Sequence, residues 1–391
     1  MALSAIVVLA SGCQPATPHI DHDAYIWQRR WSAAVGEAVM AAAPDVRGWR
    51  VLAAEIDARG SIHEVNYDSA VLAAAQRPVV LVVRIDGRLE ARAQPRWIEV
   101  VRRSVTRAVA GGTAVRGIEI DYDCPTSRLP AYAAFLRQAK QLPAAQAYLA
   151  ITALPTWLDS RALDDVLAVV DEAVLQVHSV DNPDRALFSA PNALRWVERF
   201  AARAPRAMRL ALPTYGSRVA WSESGAVEYV ESEASRGPAP TAARELAADP
   251  REVQQLVQRL SRAPPKALRG FSWFRLPNRH DRRAWSLATW RAVVHDEPLV
   301  NAIEVTLHKL SAGAYDVIVS NRGNLDGTLP GALVLGAGRC PAGDGVNGYE
   351  WSRRGRARLE RQRPADLRAG SSATAGWMRC EDGPVLMYVA R

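Results

Sequence analysis

The chain has 391 residues, a formal net charge of +8 and 49% apolar residues, enough for a large domain with its own core and a smaller one beside it. Lys occurs only at Lys140, Lys266 and Lys309, so nearly all of the 49 basic residues are Arg; with so much Ala, this reflects a GC-rich coding sequence rather than a partner. The basic residues are scattered among 41 acidic ones and build no basic helix, which argues against nucleic acid as a partner and leaves attraction to an anionic surface open.

The N-terminus, Met1 to Cys13, is a short apolar run ending in Ala10-Ser-Gly-Cys13. It resembles the tail of a bacterial lipoprotein signal peptide, with Cys13 as the lipid-anchor residue, although no Lys or Arg precedes Arg29. The expected division is a signal-like segment 1–13, a linker 14–23, a large domain 24–296 and a small one 300–391. That places the protein on the periplasmic side of a bacterial cell envelope, held to the membrane by lipid. No other run is long and apolar enough to span a bilayer. Cys340 and Cys380 both lie in the C-terminal region and could pair in an oxidising periplasm, and no Cys or His spacing fits a zinc site.

From Ala24 onward, apolar β-branched runs alternate with amphipathic stretches. Strands are expected at Ala24–Trp31, Trp49–Asp57, Pro78–Asp86, Val115–Asp123, Ala147–Leu154, Ala173–Val180, Met208–Tyr215 and Leu268–Leu276. Helices are expected between them, for example at Trp97–Ala110, Leu129–Gln141, Ala162–Val170 and Asn192–Ala202. Eight such units match an α/β chain folded as a (β/α)8 TIM barrel. An open doubly wound sheet is the alternative, but no Gly-rich phosphate loop follows the first strand. The long connection Gly216–Pro250 reads either as a loop over the mouth of the barrel or as a disordered insertion. Beyond His295, alternating runs at Ile303–Leu310 and Tyr315–Ser320 and the turn-rich Asn321–Gly327 read as a small all-β, sandwich-like domain.

The fourth strand carries the chemistry. In Arg116–Cys124, Glu119, Asp121 and Asp123 alternate with Ile118, Ile120 and Tyr122, so the three acids share one face. A strand end hydrated by solvent would also carry acids; such regular alternation with Ile points instead to a row lining a site. In a barrel, the C-terminal strand ends hold the functional positions. Those ends supply Trp27, Glu55, Asp57, Arg84, Gln176, His178, Tyr215, Trp273 and Arg275 as candidate substrate-binding residues. Aromatic rings beside carboxylates suit a sugar. Glycoside hydrolysis needs a proton donor and a second carboxylate, and repulsion within Glu119, Asp121 and Asp123 should raise at least one pKa. Asp123 is then the general acid and Asp121 its partner. The cluster could instead hold a divalent cation through oxygen ligands, but no turn-forming Asp/Asn/Gly loop accompanies it; neither metal nor other cofactor is expected.

Two resemblances follow from these residues. Gly117-Ile-Glu-Ile-Asp-Tyr-Asp123 resembles the strand-four signature Asp-Gly-x-Asp-x-Asp-x-Glu of the chitinase-type family eighteen glycosidases. Glu119 and Asp121 stand at its second and third acids, Asp123 at the catalytic Glu, and Arg116 replaces the first Asp. Gly270-Phe-Ser-Trp273 resembles the eighth strand of that family, which implies that Trp273 floors a sugar site and Tyr215 lies over it. Over nearly the whole chain, Tyr25-Ile-Trp-Gln-Arg29, Gly117–Cys124, Ile151–Trp157, Leu175-Gln-Val-His178 and Ala211–Gly216 resemble the bacterial family called domain of unknown function 3142. That resemblance implies a glycosidase-like barrel, often exported as a lipoprotein. The expected function is hydrolysis of an envelope polysaccharide or oligosaccharide, the alternative a non-catalytic carbohydrate-binding lipoprotein.

Overall fold

The computed structural model describes residues 20–89, 94–179, 186–204, 206–222, 227–231, 243–353, 356–381 and 385–390. Cys13 and its apolar run lie outside them. The eight apolar runs form parallel strands β1 (Asp21–Ile26), β2 (Gly48–Ile56), β3 (Val79–Ile85), β4 (Val115–Tyr122), β5 (Leu149–Ala153), β6 (Glu172–Gln176), β7 (Ala207–Pro213) and β8 (Leu268–Phe274). Each pairs with its neighbour, and β1 pairs with both β2 and β8, which closes the ring. The fold is a TIM barrel. β1 ends at Ile26 and β6 at Gln176, so Trp27, Arg29 and His178 sit in the segments after the strands rather than within them.

The helices coat the outside through an apolar stripe. Pro250–Arg262 is a clear case: Val253, Leu256, Val257 and Leu260 are buried at helical spacing. Asp249 accepts a hydrogen bond from the Arg251 N–H, Pro250 occupies the first turn, and Arg259 and Arg262 face the negative end of the dipole. Over Gln94–Ala110, Trp97, Val100, Val101 and Ala108 are buried in the same way.

Inside, the barrel is filled in layers. The lowest is ionic. Arg50 of β2 is 1% exposed and meets Asp23, Glu119 and Glu172; Arg209 of β7 meets Asp23 and Glu172. Gly270 makes room for this layer, because a Cβ there would lie 2.0 Å from the Arg209 guanidinium. Above it, Tyr25, Leu52, Val82, Val174 and Ala211 form a mostly apolar layer with Trp27 at its upper edge. The mouth lies above that.

The connection after β7 is neither a bare loop nor, where described, an unstructured insertion. Gly216–Trp221 pairs antiparallel with Val227–Glu231 on one side and Ala243–Ala247 on the other. Its polar composition hid a short edge sheet, tied back to the barrel by Arg283, which bonds Glu231 and Glu245.

After the helix Leu287–Val294 the chain enters antiparallel sheets. One has four strands, Ile303–Ser311, Ala314–Asn321, Ser372–Arg379 and Ala342–Gly345; the other comprises Tyr349–Ser352, Arg358–Arg361, Ala332–Ala337 and Leu386–Val389. Val317, Val319 and Met378 of the first share a core with Leu333, Leu359 and Met387 of the second. Cys340 and Cys380 are joined by a disulfide. This domain grips the barrel: Asp326 accepts the Ser286 N–H, and Arg368 donates to the Asn278, Asp281 and Ala284 carbonyls.

Candidate active site

The parallel register sets Arg84 of β3 beside Asp121 of β4, with both side chains turned toward the mouth. Arg84 donates to Asp121 Oδ2 at 2.8 Å and to Asp123 Oδ2 at 2.7 Å, so one guanidinium bridges two carboxylates. Gly87, just past β3, permits the close pass of this chain: a Cβ there would lie 2.1 Å from the Asp123 carbonyl oxygen. The three charged side chains line a cavity of about 450 Å³ at the C-terminal mouth of the barrel. Tyr25, Trp27, Phe274, His178 and Tyr215 form a continuous aromatic wall, with neighbouring ring centroids 4.9–5.9 Å apart. Arg29, Thr152 and Gln176 also line the cavity.

The three acids of β4 have different fates. Glu119 is fully buried. Its Oε1 accepts from the Tyr25 hydroxyl at 2.6 Å and from Thr152 Oγ1 at 2.9 Å, and its Oε2 accepts from Arg50. It therefore belongs to the ionic layer below the floor and does not reach the cavity, which corrects its expected place among the working acids. Asp121 is 4% exposed, and the Asp123 side chain is 37% exposed. Burial raises the Asp123 pKa above the usual carboxylate range; the Arg84 cation opposes the rise and the Asp121 charge adds to it. Desolvation is thus the larger cause, where the sequence suggested repulsion. For Glu119, too, burial raises the pKa, against the pull of Arg50.

Two buried atoms of lining residues, Asp121 Oδ1 and His178 Nε2, have no hydrogen-bond partner among the described residues. Leaving such a group unmade costs about 1–3 kcal/mol, so both are places where a bound hydroxyl or amide would be stabilising. Burial lowers the His178 pKa to about 3, which keeps the ring neutral at neutral pH and makes it a hydrogen-bonding group rather than a general acid. Its Nδ1 lies 3.3 Å from the Tyr215 hydroxyl, which also donates to Ser179 Oγ. Ser179 has a φ of 55°, in the left-handed region that favours glycine.

The remaining expected residues divide sharply. Trp27, Arg84, Gln176, His178 and Tyr215 line the cavity. Glu55 reaches it only through Arg29, which it holds by a two-point ion pair at 2.5 and 2.7 Å. Asp57 caps its own turn, accepting from the Arg59 and Ser61 N–H groups and pairing with His63, which lowers its pKa to about 2. Trp273 is a correction: it is fully buried, stacks on His22 and meets Trp290 edge-on behind the wall. Alternation along β8 instead turns Phe274 to the cavity. Arg275 is also buried away from the cavity, bonded to Asp281, with its guanidinium 5.7 Å from the Tyr215 ring centroid. Sequence reasoning missed Phe274 and Ser179 as site residues, and missed Arg50, Glu172 and Arg209 below the floor. A charged residue inside an apolar run, such as Arg50 between Trp49 and Val51, was the available signal for the ionic layer. Cys124 is buried, and burial pushes its thiol up to about 12, which makes it a poor nucleophile. Among the described residues, no group of three His, Cys, Asp or Glu is arranged to hold a metal ion.

The family described as Domain of unknown function (DUF3142) matches residues 75–279. The chain belongs to this family. In this DUF3142 protein a second match, to Domain of unknown function (DUF8456), covers residues 305–381 of the C-terminal sheets. Among solved structures, the spore cortex-lytic enzyme SleL of Bacillus megaterium QM B1551 shares the fold at 14% identity and a TM-score of 0.52, covering 73% of this chain and 76% of that one. SleL of Bacillus cereus aligns at 15% identity and a TM-score of 0.52, over 76% and 80% of the two chains. A chitinase from Chromobacterium violaceum ATCC 12472 aligns at 14% identity and a TM-score of 0.51, over 71% of this chain and 98% of that one. No curated protein matches the chain in sequence.

Proposed function

We propose that this DUF3142 protein is a glycoside hydrolase acting on a polysaccharide or oligosaccharide of the bacterial cell envelope. The observation that carries the reading is the Asp121–Arg84–Asp123 bridge at the open end of a TIM barrel, facing a wall of aromatic rings. Sugar rings stack on such a wall, and their hydroxyls meet the partnerless Asp121 Oδ1 and His178 Nε2. Asp123, with its pKa raised by burial, gives its proton to the glycosidic oxygen as the C–O bond breaks. Asp121 stabilises the positive charge that develops on the sugar. Water then adds to the anomeric carbon and its proton restores Asp123. Glu119 keeps Tyr25 and Thr152 in place below. The similarity in fold to a chitinase and to SleL supports a sugar polymer as the ligand class. The disulfide Cys340–Cys380 supports export to an oxidising compartment, and Cys13 is the proposed lipid anchor.

One observation favours a second reading, a non-catalytic carbohydrate-binding protein. Arg84 at 2.7 Å from Asp123 stabilises its ionised form, and an ionised carboxylate accepts hydroxyls but cannot protonate a leaving group. A glycan array probed with the full chain, followed by turnover assays on each bound glycan, separates the readings. The hydrolase predicts binding and cleavage, and the binder predicts binding alone. A chain that binds no glycan overturns both.

A further inference from the structure

We propose that the C-terminal domain supports the cavity from behind, and that Arg368 positions the Tyr215 wall from outside the barrel. The inference rests on the glycosidase reading only for what the wall would contact.

The segment after β8, residues 277–286, lies directly against the end of β7. Trp285 N–H donates to the Thr214 carbonyl at 2.7 Å, Gly216 N–H donates to the Arg283 carbonyl at 2.5 Å, and Tyr215 and Ala284 form an antiparallel bridge. Tyr215 is thus clamped on both sides by residues 283–285. Inside the same segment, Asp281 accepts from Arg275, whose guanidinium lies 5.7 Å from the Tyr215 ring centroid. The second Asp281 oxygen accepts from the Arg283 and Ala284 N–H groups at 3.2 Å. Tyr215 in turn reaches His178 and Ser179 in the cavity.

This segment is irregular, so its carbonyls lack the partners a strand or helix would supply. The C-terminal domain supplies them. Arg368 donates to the Asn278 and Ala284 carbonyls, each at 3.2 Å, and to the Asp281 carbonyl. A planar guanidinium with five donors can satisfy three carbonyls at once, where an ammonium holds them less rigidly. Asp326 adds a second tether, accepting the Ser286 N–H at 2.6 Å and the Ala369 N–H at 2.9 Å. Ala284 is the shortest link: Arg368 holds its carbonyl, and its backbone is bridged to Tyr215.

The test compares Arg368→Ala, Arg368→Lys and Asn324→Ala in the full chain by hydrogen exchange. Asn324 tethers the interface elsewhere, donating to the Pro298 carbonyl and Glu297 Oε2. The expected result is that Arg368→Ala speeds exchange about tenfold in residues 214–217 and 277–286, the scale of one lost hydrogen bond from a charged group. Residues 79–85 of β3, across the ring from β7, stay as in the wild type. Arg368→Lys recovers part of the protection, and Asn324→Ala leaves residues 214–217 unchanged. Binding of an N-acetylglucosamine tetramer, a probe whose hydroxyls and amides match the partnerless Asp121 Oδ1 and His178 Nε2, should weaken in the same rank order. Faster exchange confined to 277–286 and the C-terminal domain overturns the proposal, as does equal loosening of 214–217 by Asn324→Ala. A wild type that does not bind the tetramer counts against that probe as a ligand of the cavity; the exchange comparison needs no ligand and still decides the positioning role.

Discussion

The barrel contains two arginine–carboxylate clusters, one above the other on the same face of β4, and they end up with opposite characters. Below, Arg50 meets Glu119, Glu172 and Asp23 in a layer from which water is excluded, and every Glu119 oxygen is occupied by a donor. Above, Arg84 meets Asp121 and Asp123, yet one Asp121 oxygen has no partner and Asp123 faces the cavity. The residue types are the same and the spacing is two residues. The difference is where the spare group sits: among the described residues the lower cluster leaves Arg209 Nη1 unmatched but sealed inside the barrel, and so acts as a scaffold, whereas the upper one has a spare acceptor beside an opening and can recognise a ligand.

The comparison breaks first at the lower cluster. Truncating one member of a buried ion network leaves its partners charged and unpaired, at a cost of about 3–5 kcal/mol. Arg50→Ala should therefore lower unfolding free energy by roughly that amount in a denaturant titration, or prevent folding. Arg84→Ala, at the partly exposed upper cluster, should cost far less. Equal losses would erase the distinction between scaffold and site.

His178 gives the next largest effect. Its folded pKa of about 3 lies below the ordinary His value, so the unfolded chain binds the proton more readily. Stability is then fully present above the unfolded pKa and falls with decreasing pH down to about 3, by up to about 1.4 kcal/mol per pH unit. His178→Gln should flatten that part of the stability–pH profile. An unchanged slope would mean that the ring is hydrated in solution.

Arg84 sharpens the upper cluster. It opposes the burial that raises the Asp123 pKa, so Arg84→Met should raise that pKa further. For a general acid, turnover falls as pH rises through the pKa, and the alkaline limb of kcat/KM should move to higher pH in the variant. A limb that stays put would assign the titration to another group. The smallest contrast concerns the tryptophans. Trp27→Ala should weaken glycan binding by about 1 kcal/mol through lost ring contact. Trp273→Phe should leave binding alone and lower the melting temperature, since Trp273 packs behind the wall and donates to His22 Nδ1.

Much of this architecture was legible in the chain. Eight β-branched runs separated by amphipathic stretches indicate a closed barrel, because period and spacing are local properties. The acidic face of β4 was visible for the same reason. What stayed hidden depended on partners distant in sequence. Nothing near Glu119 says that Arg50, 69 residues earlier, seals it. Nothing near Trp273 says which parity of β8 faces inward, since Trp273 and Phe274 are equally plausible as wall residues; the closing register between β8 and β1 decides it. The sheet at Gly216–Ala247 escaped because its strands are polar. The role of Arg368 escaped because its carbonyl partners leave no mark in side-chain composition.

The most direct test is turnover of an array-identified glycan by the wild type, Asp123→Asn and Asp121→Asn, with melting temperatures measured alongside. Loss of the general acid should lower turnover by roughly 10²–10⁴-fold, with a comparable loss for Asp121→Asn, while both variants melt close to the wild type. Wild-type turnover in two folded variants would contradict the assignment of the site.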